Sequence, residues 1–95
     1  MKGRCVEKIP GGKLLRVEVE VEVGILRRVL VRGDFFAHPE ELFEAAEQAL
    51  SGIPAVEAPE MALEKFSRRG LSLFGATPRD ICEAIRKAID AAQAT

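Results

Sequence analysis

The chain has no tryptophan, tyrosine or asparagine, only a single histidine and two cysteines. These scarcities remove several kinds of chemistry. Cys5 and Cys82 are far apart in sequence, with no CxxC and no His/Cys cluster, so no zinc or iron–sulfur site is expected within the chain. His38 has no cysteine or second histidine near it and reads as structural or merely exposed. No Ser-His-Asp pattern is present, and the many carboxylates fall on solvated faces without visible pairing for acid–base work. No residue is therefore assigned a catalytic role, and no metal site is expected. No apolar run is long enough to span a membrane. Met1-Lys2-Gly3-Arg4 has no apolar segment behind it, so no signal peptide is expected and the default location is the cytoplasm. Repeats, low-complexity segments and linkers are also missing. The 95 residues are expected to form one domain, 1–95, with a modest core.

What is present is 47% hydrophobic and 31% charged, the profile of a folded soluble protein. Scarce amides, with many Glu and with Arg outnumbering Lys, fit a thermophile's protein. Residues 11–36 organise the rest. Leu15, Val17, Val19, Val21 and Val23 alternate with Arg16, Glu18, Glu20 and Glu22, which gives one apolar and one wet face of a strand. Ile25, Val29 and Val31 belong to a returning strand after Gly24. A two-residue turn at Val23 and Gly24 pairs Glu22 with Ile25 and sets Val19 opposite Arg28, which opposes the two apolar faces. A three-residue loop is expected instead, with Val17 facing Val29 or Val31 and Arg28 facing Glu18 or Glu20.

The expected elements are strands at about residues 4–9, 13–22 and 25–33 and helices at about 39–51, 59–69 and 78–93. The fold class is α+β, a small two-layer domain with a three-stranded antiparallel sheet followed by three helices. Pro39, Glu40 and Glu41 suit the first turn of a helix, with His38 at or near its cap and the stripe Leu42, Phe43, Ala46, Ala49 and Leu50 behind them. Met61, Ala62, Leu63 and Phe66 supply the buried side of the second helix. Thr77-Pro78-Arg79-Asp80 is the clearest helix start, a variant capping box. Ile81, Ala84, Ile85, Ala88, Ile89 and Ala92 follow at core spacing.

Charge is uneven. Positive residues predominate up to Gly33, and from Asp34 to Glu64 every charge is acidic. Either strand and helix surfaces complement each other, or a basic sheet face meets an anionic partner. The turn Pro10-Gly11-Gly12-Lys13 is the one loop suited to an anionic group, since adjacent glycines leave N–H groups uncovered beside a lysine. On spacing alone, a plain hairpin turn with an exposed lysine is the favoured reading. It is not a P-loop, because the upstream glycine, the following Ser/Thr and the helix are all missing. After the returning strand, Gly33-Asp34-Phe35-Phe36 ends the sheet. Two adjacent aromatics cannot share one face, so one is expected to pack inward and the other to reach a helix or a partner.

Lys8-Ile9-Pro10-Gly11-Gly12-Lys13-Leu14-Leu15, the acidic/valine strand, Gly33-Asp34-Phe35-Phe36 and the Pro-Glu-Glu helix start together resemble the accessory domain of lipoate–protein ligases. Gly75-Ala76-Thr77-Pro78 at the last helix also fits. The resemblance covers residues 5–89. It implies a fold similar to the SufE/NifU-like sulfur-acceptor and iron–sulfur scaffold proteins. It further implies a free-standing small subunit with no activity alone. The catalytic large subunit would bind ATP, Mg and lipoate, and this chain would bind no cofactor by itself. The complex would make lipoyl-adenylate and transfer lipoate to lysines on acceptor domains, the E2 component of 2-oxoacid dehydrogenases or the glycine-cleavage H protein. On this resemblance Lys8, Gly11, Gly12 and Lys13 lie near the partner and its adenylate, and Asp34, Phe35 and Phe36 support the loop or the subunit interface.

The alternative is a sulfur-relay or iron–sulfur assembly accessory protein of the same fold, which needs a reactive cysteine in an exposed loop. A small RNA-binding module is disfavoured, since the sheet lacks exposed aromatics apart from Phe35 and Phe36 and no GxxG clamp joins helices. No nucleic-acid or membrane partner is expected. An apolar patch built for a large subunit lets the isolated chain pair with itself as a homodimer.

Overall fold

The strict valine alternation produces two long strands, and these set the frame. The structure, a computed structural model, describes residues 1–11 and 13–94. In chain order the elements are β1 (Lys2–Lys8), β2 (Leu14–Glu22), β3 (Ile25–Gly33), β4 (Phe36–His38), α1 (Glu40–Ala49), β5 (Ile53–Pro54), α2 (Ala58–Phe66), β6 (Ser72–Phe74) and α3 (Pro78–Gln93). The class is α+β, an antiparallel sheet with three helices. The sheet has four strands rather than the expected three, in the order β1-β2-β3-β5, and β4 and β6 form a separate two-stranded ribbon.

The hairpin corrects the expected loop. Val23 and Gly24 form a two-residue turn with φ of 50° and 74°, and Glu22 does pair with Ile25. Two positive φ values give a turn whose twist matches that of the strands. The opposed faces are reconciled by a bulge after Glu20. Val21 pairs with Leu26, whereas Glu20 pairs with Arg28, so Arg27 is the extra residue. It shifts the phase of β3 by one. Leu26, Val29 and Val31 all turn inward, and Val19 and Val17 meet Val29 and Val31.

Helix α3 lies across β1 and β2. Its stripe Ile81, Ala84, Ile85, Ala88, Ile89 and Ala92 is buried against Leu15, Val17, Val19 and Val21. Thr77 caps it: its hydroxyl accepts from Asp80 N at 3.1 Å, and Thr77 N donates to the Asp80 carboxylate at 2.9 Å. Helix α2 contributes Ala58, Ala62 and Phe66 to the core and ends at Phe66, short of the expected residue 69. Helix α1 starts at Glu40, with Pro39 in the capping position. His38 ends β4, where it pairs with Ser72 across the ribbon, and directly precedes the capping Pro39, near the cap as expected.

The other face of the sheet is open. Lys2 lies opposite Glu20, which lies opposite Arg28, and Arg4 lies opposite Glu18. Lys2 and Glu20 approach to 3.7 Å. Glu20 is flanked by base on both neighbours, whereas Glu18 faces Arg4 and Leu30 and Arg16 faces Arg32, so this face mixes both signs with base in excess.

Candidate functional site

Antiparallel pairing brings the start of β2 beside the end of β3, so the glycine turn and the Gly33-Asp34 corner meet. Ile9 N donates to Lys13 O at 2.9 Å and closes the turn. Gly11 takes φ +92°, which a glycine adopts without strain. Gly12 lies outside the described residues. Asp34 holds the far side with two hydrogen bonds. Its backbone N donates to Leu14 O at 2.9 Å, and its carboxylate accepts from Leu14 N at 3.3 Å. Gly33 permits this approach, since a Cβ there would sit 2.3 Å from Leu14 O.

The result is an open groove lined by Gly11, Lys13, Gly33, Asp34, Phe35 and Phe36. Five of the seven residues singled out from the sequence therefore share one surface. Lys8 ends β1 opposite Leu14 and does not line the groove. Lys13 is exposed, so its ammonium is available to an anion; the Asp34 carboxylate is committed to Leu14 N.

The two phenylalanines part as expected. Phe35 packs its ring on Phe43 at 5.5 Å between centroids, and Phe43 packs on Phe66 at 5.0 Å. Phe36 points outward and is 79% exposed. Phe74 stands directly opposite it on β6 and is 59% exposed. Ala37 and Leu73, the next pair along the ribbon, pack against the core. Sequence reasoning missed the Phe74 partnership, because a three-residue strand shows no periodicity.

A second groove lies on the other side of Phe36, between the ribbon and α1, with Phe35, Phe43, Glu40, Glu44 and Glu47 in its walls. Glu47 is buried, its carboxylate accepting from Val31 N at 2.7 Å and from Arg32 Nη1 at 3.0 Å. The sequence reading left it among the solvated acids. Its spacing of four from Phe43 and three from Leu50 is the available signal that it lies on the buried stripe.

The cysteines stand apart from this surface. Cys5 is on the buried face of β1 and Cys82 is half-buried on α3. Burial raises both thiol pKa values, with Glu7 adding to the effect at Cys5 and Glu83 at Cys82. Among the described residues no three His, Cys, Asp or Glu side chains converge on a point. Among the described residues no helix is long and apolar enough to cross a membrane.

The architecture defines a small α+β module with a charge-laced open sheet face and a loop-and-aromatic surface at one end. No family model and no curated protein matches the sequence. Among solved structures the chain is similar to one from an archaeal lipoylation system of Thermoplasma acidophilum, a bi-partite lipoate protein ligase and its E2 lipoyl domain. The two are 23% identical, with a TM-score of 0.77 over 90% of this chain and 96% of that one. At this identity the likeness establishes a shared fold.

Proposed function

We propose that this chain is the accessory small subunit of a two-component lipoate–protein ligase, acting in the cytoplasm with a separate catalytic large subunit. The observation that carries the reading is the likeness to a chain of a bi-partite ligase structure along nearly the full length of both chains. The motif resemblance in the glycine turn and the Gly-Asp-Phe-Phe corner supports it independently, and those two motifs lie on one groove.

In this reading the large subunit holds ATP, Mg and lipoate and carries out activation to lipoyl-adenylate. Its product acylates lysines on the E2 component of 2-oxoacid dehydrogenases or on the glycine-cleavage H protein. The small subunit shapes or closes the partner's site, a conformational role. The groove faces the partner. Lys13, with N–H groups of the glycine turn, offsets negative charge near the partner's adenylate site. Asp34 and Gly33 act through the loop by fixing its distance from the end of β3.

The test is lipoate-dependent ATP–pyrophosphate exchange by the candidate large subunit from the same genome, with and without this chain. Exchange that appears only with both supports the reading. Equal exchange without this chain, or no exchange and no complex on size exclusion, rejects it.

A further inference from the structure

We propose that the β4–β6 ribbon and the groove beside α1 form the face that grips the large subunit, and that they receive an apolar segment of it flanked by lysine or arginine. This rests on the function proposed above and goes beyond it by naming the surface and the chemistry of what fills it.

Phe36 and Phe74 are register partners on an outward face, 79% and 59% exposed. Aromatic side chains are the residues most often found as anchors of protein interfaces, and two side by side in water are unlike scattered exposed apolar residues. The ribbon is held in place before any partner arrives. Ala37 and Leu73 pack into the core beneath it, and Phe35 is stacked on Phe43. Such preorganisation lowers the entropy lost on docking.

The walls of the adjoining groove select the occupant. Phe35, Phe36 and Phe43 give it an apolar side, while Glu40 and Glu44 place exposed carboxylates along the helix side. Arg32, the cation in the groove, is already paired with Glu47. Helix α1 itself has no basic residue; Arg27 and Arg28 of β3 share a neighbouring groove with Glu44, and Glu40 stands apart from them. An apolar side chain with neighbouring Lys or Arg matches both features. A second copy of this chain matches them poorly. A two-fold contact through the ribbon presents the same carboxylates on both sides, and among the described residues that line the two grooves Lys13 is the one cation outside an ion pair that could meet them.

Val23 and Val56, the most exposed apolar residues away from the ribbon among the described residues, lie at the opposite end of β3 from it. Ala55 N bonds to Gly24 O there, beside the hairpin turn. They serve as an internal control.

The experiment measures affinity for the purified large subunit by isothermal titration calorimetry, with circular dichroism confirming the fold of each variant. The variants are Phe36→Ala/Phe74→Ala, Glu40→Lys/Glu44→Lys and Val56→Ser. The aromatic double variant is expected to weaken binding at least a hundredfold. The charge reversal is expected to weaken it about tenfold at low salt and less at high salt, and Val56→Ser is expected to bind like wild type. Exchange supported by wild type, together with wild-type affinity in either double variant, overturns the docking face and leaves the function standing. Loss of binding in Val56→Ser alone also overturns the face. A self-dimer of the free chain that the aromatic variant dissolves assigns the ribbon to a second copy and overturns the proposal. No complex and no exchange with wild type overturns the function and the face together.

Discussion

The Glu47 carboxylate is the hydrogen-bond partner of the Val31 backbone N–H, Oε2 to N at 2.7 Å. Strand β5 pairs with β3 at Ile25 and Leu26. Beyond that point α1 and the turn after it cover the edge. Glu47 takes the Val31 N–H, Ser51 Oγ donates to Arg27 O at 2.8 Å, and Gly52 N donates to Leu26 O at 2.7 Å. This is how an edge strand is kept from pairing with other chains. Glu47→Ala leaves a buried N–H without its acceptor and frees Arg32. It is expected to lower stability by about 2–3 kcal/mol. Glu47→Gln keeps an acceptor oxygen and should cost about half as much. Urea denaturation of the three proteins checks the order; equal stability of wild type and Glu47→Ala contradicts it.

The parts of this fold that announced themselves are those long enough to show a period. Val17, Val19 and Val21 made the central strand plain, and the α3 stripe from Ile81 to Ala92 was legible in full. The bulge was hidden because the turn and the bulge compensate each other. The two consecutive exposed arginines, Arg27 and Arg28, are its trace in the sequence. Strand β5 has two residues and β4 and β6 three each, too short for alternation to register. The meeting of Gly11 and Lys13 with Asp34 was expected from the resemblance alone, although any antiparallel β2–β3 pair brings those ends together. The pairing of Phe36 with Phe74 was not. It depends on how the chain returns after α2, and no local pattern encodes that.

Lys13 places the exposed ammonium of the groove beside the glycine turn. Lys13→Ala is expected to lower lipoate adenylation by the reconstituted complex about tenfold while leaving complex formation intact, since an exposed charge contributes less than a buried oxyanion donor. Measuring exchange rate and affinity on the same preparations separates the two effects. An unchanged rate removes this lysine from the chemistry.

Val23 holds φ at 50° and is 98% exposed, so a β-branched side chain occupies a left-handed position with nothing around it to compensate. Asparagine tolerates that conformation, and Asn-Gly is the preferred sequence for this turn. Val23→Asn is expected to raise stability by about 0.5–1 kcal/mol. In a domain of this size that is a rise of roughly 3–6 °C in Tm. A melt by circular dichroism suffices, and a lower Tm counts against the assigned strain.

Gly3 is where α3 meets β1 most closely. A Cβ there would fall 2.0 Å from Ala88 O and 2.7 Å from Ala92 Cβ. The obstacle includes helix backbone, which cannot swing aside, so Gly3→Ala should push α3 off the sheet and cost about 3 kcal/mol. Gly11→Ala provides the contrast. It meets nothing within 4 Å but sits at φ +92°, so its cost is limited to backbone strain of about 1 kcal/mol. Denaturation midpoints should rank Gly3→Ala well below Gly11→Ala, and the reverse order refutes the packing argument.

The two thiols test the function from the opposite side. A sulfur-relay protein needs an accessible thiolate, yet burial raises the pKa of both Cys5 and Cys82 above the ordinary thiol value. At pH 7 native protein should therefore react slowly with iodoacetamide at both positions, and unfolded protein quickly. The same shifts fix the sign of a pH effect. Folding favours the protonated thiol, so the unfolded chain loses its protons first as pH rises past the ordinary thiol range. The stability these thiols contribute is complete below that range and falls as pH climbs through it. Labelling followed by mass spectrometry at pH 7 and pH 9 decides the matter. Rapid modification of either cysteine in the folded protein at pH 7 would favour sulfur transfer over an accessory role in lipoylation. Slow modification, rising on unfolding, removes the chemistry on which that alternative depends.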